Sequence, residues 1–254
     1  MDSPSPDPGI AVVIITRDAA ARLGQVLDAV RCFPEVVILD NGSRDATVEI
    51  AAGYPNVRVH EDEFIGFGPT KNKAVVLAER DWILALDADE VPSPELAAEI
   101  LALALDETKV YALPFRNFFR GRWIRGCGWH PQWKTRLFDR RRARFSDDRV
   151  HETVLHEGLE AVRLSHPVHH YTADSVADMQ DKERRYSSLF VADHAGQRRA
   201  TVATAVAKGA FAFFKSYILQ RGIACGGDGF VISAHAGIAK FYRYLKLREA
   251  NRRS

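Results

Sequence analysis

Residues 82–90 read Trp82-Ile83-Leu84-Ala85-Leu86-Asp87-Ala88-Asp89-Glu90. An uninterrupted apolar run suits a strand covered on both faces, as in a parallel sheet flanked by helices. It stops at three carboxylates within four residues. The same pattern stands upstream. Residues 10–16, IAVVIIT, are a second such run, rich in β-branched side chains, and residues 36–39 are a third that ends at Asp40-Asn41-Gly42-Ser43, where the residue types favour a turn. Between and beyond them, 18–32 carries Leu23, Leu27 and Val30 on one helical face, 46–52 reads as a short helix and 57–60 as a strand. Gly66-Phe67-Gly68-Pro69 then leads into a helix over about 70–79. Strand and helix alternating in this way predict an α/β fold, with β-α units around a mostly parallel central sheet flanked by helices.

Past a helix at 93–105 the pattern changes. Residues 109–172 are rich in aromatics and arginine, with short extended pieces at 110–115 and 135–138, and read as strands and loops that complete the sheet. From 176 onward helical patterns dominate, interrupted by Gly222 and by Gly226-Gly227-Asp228-Gly229. The expected organisation is therefore a disordered tail at 1–9, an α/β domain at 10–172 and a helical C-terminal region at 173–254. With 254 residues, 46% apolar and 27% charged, the chain can bury a core, which excludes globally disordered and collagen-like classes. Clean apolar runs such as 10–15 fall short of the ~20 residues a spanning helix needs, so no membrane span is expected. Residues 1–9 lack a basic start and a cleavable apolar segment, so no secretion signal is expected either, and the chain should stay in the cytoplasm. Cys32, Cys127 and Cys225 have no C-x-x-C spacing and read as reduced, partly buried thiols.

The formal charge of +2 conceals a strong asymmetry. Residues 1–115 carry 9 basic against 20 acidic side chains, residues 116–149 carry 11 against 3, and residues 240–254 carry 6 against 1. An acidic first half suits a site that holds a divalent cation. Two basic patches suit phosphate groups or an anionic membrane surface, though each is also compatible with a plain solvated face.

In an open α/β sheet ligands bind beyond the carboxyl ends of the strands, so the Asp40 turn and the Asp87-Ala88-Asp89 turn should share one edge. An Asp-x-Asp turn there can hold a hard divalent cation, which typically bridges substrate phosphates. Lys71, at a helix start, is placed to meet phosphate by its own charge and by the helix N-terminus.

These residues resemble a known family. Val12-Val13-Ile14-Ile15-Thr16, the run from Val37 through Asp40-Asn41-Gly42-Ser43-Arg44-Asp45 to Thr47, Gly68-Pro69-Thr70-Lys71-Asn72 and Leu86-Asp87-Ala88-Asp89-Glu90 are similar, in that order, to family 2 glycosyltransferases of the GT-A fold. Arg136-Leu137-Phe138 and Val150-His151-Glu152 narrow the resemblance toward bacterial lipopolysaccharide core glycosyltransferases, including heptose-directed glucosyltransferases. The resemblance implies inverting transfer from a nucleoside diphosphate sugar, UDP-linked and with glucose as a candidate sugar, to a saccharide of the lipopolysaccharide core. Thr16, Asp40, Lys71 and Asp87 would then bind the donor, Asp40 at the base or ribose and Asp87 at the ribose or sugar. Asp89 would hold a Mg or Mn ion on the diphosphate.

An inverting displacement needs one general base for the acceptor hydroxyl. Asp147, Asp148 and Glu152 follow the D-x-D strand, and of these Glu152 and then Asp148 are preferred, Glu152 because it resembles the family's late His-Glu pair. His151 is a candidate to bind the metal or orient the base, with a structural role as the alternative. For the acceptor, the rings of Trp123, Trp129 and Trp133 can stack on sugars and Arg116, Arg120, Arg122 and Arg125 can meet phosphates. Trp123, Arg125, Trp129 and Arg136 form the expected acceptor set. No nucleic acid is expected as a partner.

Other motifs fail on spacing. His151 and His156 are five apart where a zinc protease helix needs four, and the Asp87 loop has Pro92 and Ala98 where an EF-hand needs Gly and Glu. His166, His169 and His170 lack Cys or carboxylate at ligand spacing and read as surface or core residues. In the C-terminal third, Ala207, Phe211, Phe214 and Ile218 line one helical face between Lys208 and Lys215, and Ile238, Phe241 and Leu245 repeat the pattern among Lys240, Arg243, Lys246 and Arg248. Such faces suit packing against another element or subunit, or contact with an anionic bilayer. A lipid-linked acceptor, which the resemblance implies, favours a peripheral position on the inner face of the cytoplasmic membrane. Capsule, O-antigen or polyprenyl phosphate acceptors, and a saccharide-binding scaffold without catalysis, are the alternative readings.

Overall fold

The computed structural model describes residues 9–253, so the expected tail lies outside the described residues except for Gly9. The chain forms two compact units. One takes the chain up to Phe115 together with Trp133–His170, and the other takes Arg116–Gln132 together with the chain from Tyr171 onward.

The elements run β1 (Ile10–Thr16), α1 (Ala20–Val30), β2 (Glu35–Asp40), α2 (Thr47–Ala52), β3 (Val57–Glu61), α3 (Phe67–Leu77), β4 (Trp82–Asp87), β5 (Glu90–Pro92) and α4 (Pro94–Leu101). Then come β6 (Lys109–Phe119), β7 (Arg122–Trp123), β8 (Trp133–Asp139), β9 (Arg144–Phe145), β10 (Val154–Leu155), β11 (Glu160–Arg163), β12 (Val168–Ala173), α5 (Val176–His194), α6 (Val202–Phe214) and α7 (Gly226–Arg253). The sheet order is β3-β2-β1-β4-β8-β6-β12-β5, an α/β arrangement as expected. β3, β2, β1 and β4 are mutually parallel. β8 then lies antiparallel on β4.

In the first unit the continuous apolar runs are explained by burial on both faces. Ile10, Val12 and Ile14 of β1 pack with Leu23, Leu27 and Val30 of α1, and the alternate Ala11 and Val13 pack with Ala74 and Val75 of α3. α4 starts at a Ser93 cap whose Oγ accepts the Leu96 N–H at 3.1 Å, with Pro94 at the first helical position. α3 begins at Phe67, earlier than the sequence pattern indicates, because Pro69 is tolerated in the first turn of a helix.

The second unit gathers Phe119, Ile124, Cys127, Met179, Cys225 and Ile232 into its own core. Its two cysteines are buried, while Cys32 of the first unit is exposed. α5 is tied to α7 by Glu183 and Arg243 at 2.6 Å and by Lys246 Nζ donating to Ser187 Oγ at 2.7 Å. α6 crosses α7 at two glycines. A Cβ on Gly209 would lie 2.9 Å from the Gly237 carbonyl oxygen and would push the helices apart, and one on Gly237 would lie 3.1 Å from the Gly209 oxygen, which must give by a few tenths of an ångström. The expectation that no segment is long and apolar enough to span a membrane is corrected here: α6 and the π-helical turn Lys215–Leu219 together make an 18-residue window of mean hydropathy 1.3. Lys208 and Lys215 interrupt its apolar runs, and the mean of 1.3 already includes both.

Candidate active site

Strand register builds the site. Thr16 pairs with Asp40 across β1 and β2, and Ile15 pairs with Asp87 across β1 and β4, so the two acidic turns leave the sheet at the same carboxyl edge, one on each side of β1. The Asp40 side chain, 1% exposed, accepts hydrogen bonds from the Thr16 hydroxyl at 2.9 Å, the Gly42 N–H at 3.0 Å, and both the N–H and hydroxyl of Ser43 at 2.8 and 2.5 Å. Both carboxylate oxygens are thus committed to shaping the turn. Gly42 adopts φ +80, the left-handed region glycine favours.

Around the second turn lies a network of ionised side chains. Lys71 Nζ, 3% exposed, sits 2.7 Å from Asp87 Oδ1 and 2.6 Å from Glu152 Oε1. Arg136, also buried, bonds Asp87 Oδ2 at 3.0 Å and Glu90 Oε1 at 2.7 Å, and Lys134 reaches Glu90 at 3.3 Å. Glu90 Oε2 accepts the Asp87 N–H and closes the turn. Burial works against the charge on Asp87, but Lys71, Arg136 and Lys134 outweigh it and hold the carboxyl well below the usual carboxylate range. Burial likewise opposes the charge on Arg136, and Glu90 and Asp87 reverse the balance, so its pKa is raised.

Glu152 reaches this network because the β9–β10 hairpin loop is stapled to the start of α3. Gly68 N–H donates to the Asp148 carbonyl and Phe67 N–H to the Arg149 carbonyl, both at 3.1 Å. Asn72 exchanges two hydrogen bonds with the Phe145 backbone at 3.0 Å. Gly68 has to be glycine, since a Cβ there would lie 1.9 Å from the Ser146 carbonyl oxygen. With Phe67 and Gly68 so engaged and Pro69 lacking an N–H, the α3 N-terminus is not open to phosphate. The expected contribution of that terminus is corrected on this ground, and what Lys71 presents is its own charge to two carboxylates.

The other sequence candidates fall elsewhere. Asp148 is exposed and accepts from the Ser146 hydroxyl at 2.7 Å. His151 is exposed in the same loop at φ +66. Arg136, expected at the acceptor, is 5% exposed and committed to Asp87 and Glu90. Trp123, Arg125 and Trp129 belong to the second unit, where the Arg116 and Arg125 guanidinium groups lie 4.7 and 4.2 Å from the Trp123 ring centre and Trp129 packs on that unit's core. Three functional-site residues were missed: Glu90, Lys134 and His170. Pairing of β12 with β5 sets His170 opposite Glu90 and brings its Nε2 to 3.5 Å from Asp89 Oδ1. Sequence spacing cannot show that contact, although the acidic Glu90 directly after Asp89 was a signal for its own role.

No group of three or more His, Cys, Asp or Glu side chains that could hold a metal occurs among the described residues. Asp89 and His170 offer one hard oxygen and one imidazole side by side. The carboxylate fits a Mg- or Mn-type cation, which takes one or two protein carboxylates and leaves the rest of its shell to phosphates and water, whereas the imidazole is a ligand for transition ions and not for Mg.

The model of the glycosyl transferase family 2 domain matches residues 11–159, more than half of the chain. The chain belongs to family 2 of the glycosyltransferases. As a family 2 protein it is a glycosyltransferase of the GT-A fold, as the motif resemblance implied. It is 29% identical over 260 residues to an uncharacterized glycosyltransferase of Rickettsia bellii, covering 94% of this chain and 86% of that one. It is 27% identical over 194 residues to the lipopolysaccharide core biosynthesis glycosyltransferase LpsC of Rhizobium meliloti, covering 71% of this chain and 69% of LpsC. Its fold is similar to that of S. aureus TarS 1-349 in complex with UDP, at a TM-score of 0.50 and 14% identity over 96% of this chain and 91% of that one.

Proposed function

We propose that this glycosyltransferase is an inverting enzyme that moves a sugar from a UDP-linked donor, UDP-glucose first among candidates, to an anionic saccharide of the lipopolysaccharide core. The observation that carries this reading is the row Thr16, Asp40 and Asp87 at the sheet edge, with Lys71 and Glu152 drawn in over Asp87. The likeness to LpsC supports the acceptor class.

In this reading Asp40 shapes the turn that receives the nucleotide, and Asp87, fixed by Lys71 and Arg136, orients the ribose or sugar. Asp89, with His170 beside it and His151 as the alternative, holds Mg or Mn, which when bound meets the charge developing on the leaving diphosphate. Glu152 is the base: Lys71 fixes Oε1, so Oε2 is presented in a defined direction for the acceptor proton, with Asp148 as the alternative base. Trp123, Arg125 and Trp129 supply acceptor contacts. The lipid-linked acceptor places the enzyme at the inner face of the cytoplasmic membrane.

The test is transfer by the full chain to lipopolysaccharide core from a strain lacking this protein, with UDP-glucose, UDP-galactose and UDP-N-acetylglucosamine in turn, in Mg, Mn or chelator. Mass gain of one hexose with a cation and none with chelator is expected. No transfer from any UDP-sugar under any condition sinks the proposal.

A further inference from the structure

The second unit leaves a long apolar helical face exposed. At 100° per residue, Ala203, Val206, Ala207, Ala210, Phe211 and Phe214 of α6 fall within about 140° of one another, and all six are exposed. Val206, Phe211 and Phe214 keep 54%, 57% and 49% of their surface accessible. Beyond the helix the exposure continues through Ile218, Leu219, Ile223 and Phe230. Single exposed apolar residues are ordinary, but a continuous series of this size marks an interaction surface. It is not the residue of poor packing, because the opposite side of α6 meets α7 at the close Gly209–Gly237 crossing.

Charge identifies the partner. From residue 194 to 248 the only acidic side chain is Asp228, against nine Lys and Arg. Five of these nine fall into two groups. Arg243 and Lys246 are turned inward to Glu183 and Ser187 of α5. Lys208, Lys215 and Arg221 are exposed beside the apolar series.

We propose that the α6 face and the turn after it insert into one leaflet of an anionic bilayer, with Lys208, Lys215 and Arg221 at the level of the headgroups. Lying in the interface suits this segment better than crossing the membrane. A span over Val202–Leu219 would carry Lys208 and Lys215 into hydrocarbon, whereas an in-plane helix lets both side chains reach the headgroups. A second copy of the chain fits less well, since a two-fold contact through this face would set its basic rim against itself. The inference deepens the proposed membrane position of the enzyme and depends on no donor or catalytic assignment.

Flotation of the full chain with phosphatidylcholine vesicles, with and without phosphatidylglycerol, tests it. The protein should float with the anionic vesicles and remain bound in ~1 M salt, where the Debye length is only ~3 Å, because the insertion is apolar. F211D/F214D should weaken binding at least ~10-fold, with unchanged circular dichroism and UDP binding, while K208Q/K215Q/R221Q should weaken it mainly at low salt. F211A/F214A gives the same readout should the two carboxylates disturb the helix. Absence of binding to any vesicle, equal binding by the Phe variants, or a light-scattering dimer that F211D/F214D dissolves would overturn it. Wild-type protein that floats but fails to transfer sugar or bind UDP would count against the donor reading alone.

Discussion

Replacing Lys71 with methionine probes the centre of the candidate site with little change in side-chain length. Its ammonium is 3% exposed and touches carboxylates at 2.7 and 2.6 Å, so the substitution leaves Asp87 leaning on Arg136 and takes the cation from Glu152. Removing one partner from a buried ion pair costs ~3–5 kcal/mol. Water still reaches 32% of the Asp87 side chain and 12% of Glu152, which screens part of the loss, so about 3 kcal/mol is the expected figure. At ~2–4 °C per kcal/mol for a chain of this size, Tm should fall by ~6–12 °C. The pH dependence has a definite sign. The Asp87 carboxyl is held low in the folded protein, so its contribution is fully present above the unfolded value near ~4 and is lost as pH falls through the lower folded value. In the variant, a proton can neutralise the abandoned Asp87 carboxylate as the solution becomes acidic. The stability gap between wild type and K71M should thus be widest near neutral pH and narrow below ~4. Urea unfolding across this pH range reads it directly. A gap under ~1 kcal/mol at pH 7, or one that does not change with pH, would refute the claim that Lys71 binds two ionised carboxylates.

Asp89→Asn should abolish transfer and remove the Mn-dependent part of UDP binding measured by calorimetry, leaving metal-free binding as it was; wild-type turnover in this variant excludes Asp89 from the metal. Glu152→Gln should lower turnover ~10²–10⁴-fold with donor affinity nearly unchanged, and the same loss in Asp148→Asn with an active Glu152→Gln would exchange their roles. Gly68→Ala forces the loop off the α3 N-terminus, at ~1–3 kcal/mol for overpacking, and should lower kcat far more than it weakens UDP binding, because the loop carries Glu152. Normal stability and kcat in Gly68→Ala would show that the loop does not depend on that contact.

The first unit was legible because its signals are local. Runs such as 10–16 and 82–86 are apolar at every position since both faces are covered, and the acidic turns that end them fall at the same sheet edge once register aligns Thr16 with Asp40 and Ile15 with Asp87. The contacts that complete the site join residues distant in sequence. Glu152 meets Lys71 only through the stapling of the β9–β10 loop to α3, and His170 meets Asp89 only through the pairing of β12 with β5. No helical or strand period encodes either meeting. Likewise the basic run 116–149 reads as one patch in sequence, yet Arg136 is consumed by buried carboxylates while Arg116 and Arg125 cover Trp123.

Asp40 shows where motif reading and physical reading part. A carboxylate at the end of a sheet strand invites assignment to the nucleotide, and the family resemblance makes the same assignment. Yet a carboxylate has about four lone-pair directions, and here four donors, the Thr16 hydroxyl, the Gly42 N–H and the two Ser43 groups, already use them. Any nucleotide contact by Asp40 must therefore compete with the hydrogen bonds that shape its own turn. Asp89 is placed differently: it lies in a turn whose Asp87 N–H is taken by Glu90, and its Oδ1 lies 3.5 Å from His170 Nε2. The division of labour follows from geometry. At each strand end one acidic residue accepts backbone N–H groups of its own turn, Asp40 those of Gly42 and Ser43 in the first and Glu90 that of Asp87 in the second. Under the proposed reading the cation would fall to Asp89, because the Asp87 N–H is accepted by Glu90 and the Asp87 carboxylate is held by Lys71 and Arg136.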